Sequence, residues 1–101
     1  NAPEIAAVKG IDVLLIGTND LCLEMGLPGE LGHPDVVDAY KTVIDACRDH
    51  GKYAGMGGVY NPEQMEKYIE MGARLILAGN DIAFLMASAR RQANTVREML
   101  S

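Results

Sequence analysis

An α/β fold built on a parallel sheet with helices laid over it is the architecture this sequence predicts. Three short apolar runs, at residues 11–16, 53–56 and 73–78, have strand length, and each leads into a glycine at 17, 57 or 79. Helical patterns separate them, and the helices carry start and stop signals. Such alternation needs crossover connections, which put neighbouring strands parallel.

Residues 2–9 are compact and apolar at Ile5, Ala6 and Val8, and Gly10 follows as the residue favoured just past a helix end. The run at 11–16 is almost continuously apolar, the pattern of a strand buried on both faces. The polar, glycine-rich stretch from Thr18 to His33 is long for a connection, so it is expected to hold a helical turn or a function. Pro34 suits the first turn of a helix, in which Val36, Tyr40, Val43 and Cys47 recur at helical spacing until Gly51. A short strand over 53–56 runs into Gly57-Gly58. Asn61-Pro62-Glu63-Gln64 then combines an N-cap, a proline at the first helical position and a glutamine three residues after the cap. That helix is expected to bury Met65, Tyr68 and Ile69 and to stop at Gly72. The third strand covers 73–78. A last helix runs from about Asp81 to Leu100, apolar almost all round over Ile82 to Ala87 and amphipathic beyond. The six methionines are expected at core positions.

The 101 residues include 14 acidic and nine basic side chains, for a formal charge of −5, and 49% are hydrophobic. A nucleic-acid surface would show clustered Lys and Arg, so that class is disfavoured. No apolar stretch approaches the roughly 20 residues of a membrane span. Cys22 and Cys47 form no Cys-x-x-Cys pair, and with no secretory signal two reduced thiols in a cytoplasmic protein are expected. The chain opens on Asn1 with what reads as the end of a helix. Its three strands need partners from elsewhere, because a lone three-stranded sheet exposes both edges. A single partial domain over residues 1–101, a fragment of a longer protein, is therefore expected.

In parallel α/β architecture the loops after the carboxyl ends of strands build the active site. Here these are Gly17-Thr18-Asn19-Asp20, Gly57-Gly58-Val59-Tyr60 and Gly79-Asn80-Asp81. Asp20 has the chemistry of a ligand for a hard divalent cation, but from spacing alone the favoured reading is that Asp20, Asn19 or Thr18 caps the helical turn that follows. Asp81, just before a helix, suits capping better. No lysine falls at a strand's carboxyl end: Lys52 enters its strand, and Lys9, Lys41 and Lys67 lie on helices, so Schiff-base chemistry has no candidate. His33 suits a cap and His50 a helix's last turn; neither has the neighbours of a catalytic triad. The glycines lack the spacing of a dinucleotide site.

The segment Ile5-Ala6-Ala7-Val8-x-Gly10-Ile11-Asp12-Val13-Leu14-Leu15-Ile16-Gly17-x-Asn19-Asp20-Leu21 resembles the sixth-strand segment of the HpcH/HpaI aldolase family, metal-dependent 2-oxo acid aldolases of the phosphoenolpyruvate/pyruvate barrel superfamily. The similarity continues through Met25-Gly26, His33-Pro34, His50-Gly51-Lys52, Gly55-x-Gly57, Gly72-Ala73 and Gly79-x-Asp81. It implies the carboxyl-terminal part, strands six to eight with their helices, of a (β/α)8 TIM barrel. By this resemblance Asp20 ligates Mg²⁺, Mn²⁺ or Co²⁺ together with a glutamate that would precede Asn1. Gly17, Thr18 and Asn19 match the loop whose backbone amides hold the pyruvate carboxylate, and Met56 and Gly57 match positions beside the aldehyde portion of the substrate. The chain departs from the family's commonest form at Thr18, where proline is usual, and at Cys22, where serine is usual. The family's catalytic histidine and aspartate and its substrate-binding arginine lie in the first half of the barrel, so no catalytic residue is expected in this chain.

The implied reaction is cleavage of a 4-hydroxy-2-oxo acid to pyruvate and an aldehyde, by a homo-oligomer that exchanges its last helix between subunits and has no nucleic-acid or membrane partner; the piece by itself is expected to be inactive. Two rivals differ in what they require. A citramalyl- or malyl-CoA-type lyase of the same superfamily would call for a basic patch for the nucleotide at the strand ends. A non-enzymatic small α/β binding module would need a self-sufficient sheet of about five strands.

Overall fold

A computed structural model describes residues 1–101. The elements follow in the order α1 (Ala2–Ala6), β1 (Val13–Gly17), α2 (Thr18–Glu24), α3 (Pro34–Asp49), β2 (Tyr53–Gly57), α4 (Pro62–Met71), β3 (Ala73–Ile76) and α5 (Asp81–Leu100). The strands form one parallel sheet in the order β1-β2-β3. The pairing of β1 with β2 is regular from Val13 opposite Tyr53 to Gly17 opposite Gly57. Between β2 and β3 the register shifts at Ala54/Gly55, so that Ala54 faces Ala73 while Gly55 faces Leu75.

The helix boundaries follow from local chemistry. Asn61 Oδ1 accepts from the Gln64 amide at 3.2 Å, and Pro62 occupies the first helical position of α4. His33 Nδ1 accepts from the Asp35 amide at 3.1 Å to cap α3. The long polar connection after β1 does hold a helix, the seven-residue α2. Strand ends differ by a residue or two from the sequence expectation: Gly17 and Gly57 still pair in the ladder, and β3 stops at Ile76 instead of continuing to 78.

α3 and α4 cover one face of the sheet. The core there gathers Ile16, Val36, Tyr40, Ile44, Met56 and Tyr68, with Cys22, Cys47, Ala54, Val59 and Ala73 filling between them. On the opposite face nothing lies over the strands, and Leu15 and Leu75 are 49% and 42% exposed. The expectation that the first strand is buried on both faces is therefore not met within this chain, because only the helix side of the sheet has a cover. An apolar cleft of about 560 Å³ runs along the free edge of β1, between Ile5, Ile11, Val13 and Leu15.

α5 buries none of its residues, and Leu85 is 68% exposed. Its projection stretches the molecule to 59 Å in its longest dimension, and the radius of gyration is 17.2 Å, against about 13 Å for a compact chain of this size. The methionines divide accordingly: Met56 is fully buried and Met65 and Met71 partly so, whereas Met25, Met86 and Met99 are exposed, correcting the expectation of six core positions. Ile69 is likewise exposed on α4, where only Tyr68 is fully buried.

Gly72 makes the turn from α4 into β3 at φ +134°, and a Cβ there would lie 2.8 Å from Ile44 Cγ2. Gly72→Ala combines backbone strain with a core clash, so it is expected to destabilise the intact protein by about 1–3 kcal/mol. Urea unfolding measures this; an unchanged midpoint would contradict the placement of Ile44 over the turn.

Candidate functional site

Because β1 and β2 run parallel and end together at Gly17 and Gly57, the loops that follow them meet at one end of the sheet. The Thr18 side chain, fully buried, makes the first bridge, with Oγ1 donating to the Gly57 carbonyl at 2.7 Å. Tyr40 on α3 lies 2.6 Å from the same oxygen. Since a carbonyl can only accept and a threonine hydroxyl has one hydrogen, Tyr40 is the donor of that second bond. Asn19 makes the next bridge, from Nδ2 to the Gly58 carbonyl at 3.3 Å. Gly58 sits at φ +79°, and a Cβ there would lie 2.5 Å from Asn19 Nδ2, so the close approach of the two loops requires glycine.

Asp20, one residue further on, is exposed and makes no hydrogen bond or ion pair. Its carboxylate folds back toward the strand end, where a Cβ on Gly17 would lie 3.5 Å from Oδ2. The capping alternative for this loop is thereby corrected. The N-cap of α2 is Gly17, without any side-chain cap, because Thr18 and Asn19 bond across to β2 and Asp20 bonds to nothing.

The third loop is built differently. Asn80 is the N-cap of α5, accepting from the Ala83 amide at 2.8 Å, and Asp81 Oδ1 accepts from the Ile82 amide at 2.8 Å. Asp81 is thus occupied at its own helix start, although the cap itself is its neighbour. No hydrogen bond joins this loop to the other two; the chain just before it is tied to the end of β2, where the Leu77 amide donates to the Met56 carbonyl at 3.0 Å.

Of the other residues singled out, Gly17, Thr18, Asn19, Asp20 and Gly57 come together. Met56 is at the same strand end, but its side chain turns wholly into the helix-covered core, so only its backbone can reach the site. Lys52 stays at the entry of β2, donating to the Val8 carbonyl at 3.3 Å. Burial pushes the thiols of Cys22 and Cys47 up from their ordinary range, which keeps them protonated and unsuited to nucleophilic or metal chemistry.

Tyr40 and Tyr68 escaped notice as polar groups, since helical spacing marks both only as core. Their rings stack at 3.8 Å between centroids and 16° between planes, and both are fully buried. Tyr68 donates its hydroxyl to the Leu31 carbonyl at 2.6 Å, as Tyr40 does to Thr18. The available signal was that a buried tyrosine hydroxyl needs a partner.

A hard cation fits the free Asp20 carboxylate, an oxygen donor committed to nothing else. No group of three or more His, Cys, Asp or Glu side chains in this chain could hold a metal ion, so Asp20 would supply one ligand of a set completed elsewhere.

Parallel strands that deliver their loops to one end, with a free carboxylate there, define an α/β chain of the kind that places enzyme sites at strand ends. The chain belongs to the HpcH/HpaI aldolase/citrate lyase family, whose model matches residues 1–88. It is 37% identical over 97 residues to a 4-hydroxy-4-methyl-2-oxoglutarate aldolase of Hapsidospora irregularis, covering 94% of this chain and 36% of the relative. A 5-keto-4-deoxy-D-glucarate aldolase of Salmonella paratyphi C is 30% identical over 98 residues, covering 97% of this chain and 38% of the relative. Among solved structures, an HpcH/HpaI aldolase/citrate lyase family protein of Burkholderia cenocepacia J2315 superposes with a TM-score of 0.83 at 32% identity, over 95% of this chain and 37% of that one. The chain spans between a third and two-fifths of the length of these relatives.

Burial raises the Tyr40 phenol above its ordinary value and pushes Tyr68 up to about 12, with Tyr40 beside it adding to the effect. A raised tyrosine value means stability that is complete below the unfolded value of about 10 and is lost as pH rises toward the folded one. The melting temperature of the intact protein is expected to fall between about pH 10 and pH 12, and less steeply in Tyr68→Phe. Thermal melts across that range check this; identical slopes in the two proteins would contradict it.

Proposed function

We propose that this chain is the carboxyl-terminal part, strands six to eight with their helices, of a (β/α)8 barrel aldolase that cleaves a 4-hydroxy-2-oxo acid to pyruvate and an aldehyde with a divalent cation, Mg²⁺, Mn²⁺ or Co²⁺. The observation that carries the reading is the free Asp20 carboxylate, held at the end of β1 by a loop tied to the end of β2. The aldolase names of the relatives support carbon–carbon bond cleavage.

The cation, when bound, would polarise the 2-oxo group and so favour the electron pair released onto C3. In the cleavage itself the C3–C4 bond breaks, the 4-hydroxyl gives up its proton as the aldehyde forms, and C3 later takes up a proton to complete pyruvate. This chain's own residues bind and orient. Asp20 supplies one carboxylate to the cation, and the backbone amides of Gly17, Thr18 and Asn19 receive the substrate carboxylate at the start of α2. Gly57 and the Met56 backbone form the wall beside the aldehyde portion. The Thr18 and Asn19 side chains are spent on β2 and hold the loop instead of touching substrate. The groups that move protons belong to the remainder of the barrel.

The same reading gives the bare sheet face and α5 their partners. The remaining strands would cover Leu15 and Leu75, and the exposed apolar surface of Ile82, Phe84, Leu85 and Met86 suits a helix exchanged between subunits of a homo-oligomer. A lyase acting on a coenzyme A thioester is less well supported, since no Lys or Arg occurs in residues 17–33, 57–61 or 77–82, which form the strand-end loops.

The test is pyruvate release from 4-hydroxy-2-oxo acids by the intact protein, with and without each cation. Asp20→Ala is expected to lower kcat/KM by at least about 10²-fold, the scale for losing one electrostatic stabiliser, and to abolish the response to added metal. Unchanged activity and metal dependence in that variant would sink the assignment.

A further inference from the structure

We propose that Tyr40 and Thr18 are positioning residues for the Asp20 loop: a buried hydroxyl relay from α3 through Thr18 to the Gly57 carbonyl sets where the carboxylate stands. The inference rests on the aldolase reading for what Asp20 binds, but the relay itself is read from geometry. Its bonds run from Tyr40 Oη to Thr18 Oγ1 at 2.6 Å and from Thr18 Oγ1 to the Gly57 oxygen at 2.7 Å, and both side chains are fully buried. Neither can touch a substrate. The Tyr40 ring is fixed in turn by its stack on Tyr68, which leaves the phenol oxygen little freedom.

Stability alone gives little reason for this arrangement. Replacing both partners of a buried hydrogen bond by apolar groups of the same shape is often close to neutral, so Phe at 40 with Val at 18 would fill the same space and cost chiefly the side-chain donor of the buried Gly57 carbonyl. What such a replacement removes is direction. The relay joins three elements, α3, the first residue of α2 and the end of β2, at a point two residues before Asp20. Without it the exposed Asn19 side chain makes the one side-chain hydrogen bond left between the start of α2 and the β2 end. Partners one step removed from a metal ligand characteristically tune affinity by 10–100-fold through orientation.

The experiment measures Mn²⁺ affinity and amide exchange of residues 19–21 in the intact protein and in five variants. Tyr40→Phe and Thr18→Val are each expected to weaken Mn²⁺ binding by about 10-fold and to speed exchange in that segment. The double variant should be no worse than Thr18→Val alone, because both changes break one chain of bonds. Thr18→Ser, which keeps the hydroxyl, and Tyr68→Phe, which keeps the stack, should both leave affinity and exchange at the parent's values. Parent-like affinity and exchange in Tyr40→Phe and Thr18→Val would overturn the inference, as would equal losses in Tyr68→Phe. A parent that binds no Mn²⁺ while its segment 19–21 still loosens in Tyr40→Phe and Thr18→Val would uphold the positioning role and overturn the aldolase reading instead.

Discussion

Two parallel strands that start together and finish together carry whatever follows them to the same place, and in this chain that alignment is maintained without interruption from Val13 opposite Tyr53 to Gly17 opposite Gly57. The contacts of the site follow from it. Thr18 finds the Gly57 carbonyl, and Asn19 finds that of Gly58, because they are the first and second residues beyond the last pair, Gly17 opposite Gly57. A slip of one residue would turn every β1 side chain to the opposite face and separate these partners. The helix-covered side of the sheet guards against such a slip, since Ile16 and Met56 must both face the core that Tyr40 and Tyr68 complete.

The other side of the sheet has no comparable anchor. Leucines at 15 and 75 stand open, an apolar cleft follows the free edge of β1, and α5 extends away without burying a single residue. Exposed apolar area on this scale marks a surface made to be covered. Gly55 adds to the case: a Cβ there would lie 2.9 Å from Leu15 Cδ1, so the bare face is shaped by its own side chains and is not a loose edge. A barrel interior is filled by just such layers of inward side chains, and that filling agrees with the family and with relatives more than twice as long.

How much of this was legible in the sequence depended on how local the cause was. The starts of α3 and α4 were legible because their signals, His33-Pro34 and Asn61-Pro62-Glu63-Gln64, act within three residues. Parallel pairing was legible from alternation. The cover on β1 was not, because near-continuous apolarity at residues 11–16 reports what the strand tolerates on each face, not what this chain places there. The fate of the Gly17–Asp20 loop was ambiguous for a related reason. Thr, Asn and Asp at a helix start ordinarily cap it, and only the arrival of β2, some forty residues later in the chain, draws Thr18 and Asn19 away. Tyr40 is the extreme case, since helical spacing identifies its ring but cannot name a hydroxyl's partner on another element.

The division of labour within that loop is itself a consequence of helix geometry. Successive residues at the start of α2 point about 100° apart, so three neighbours face three surroundings. Thr18 turns into the core, Asn19 toward the β2 loop and Asp20 toward solvent. Two adjacent side chains can therefore hold the backbone while the third stays uncommitted. An exposed carboxylate costs little to leave without a partner, whereas the same group buried would need an ion pair or several amides that would compete with any ligand. Holding the loop through Thr18 and Asn19, instead of through Asp20, keeps the one strong oxygen donor of the site available.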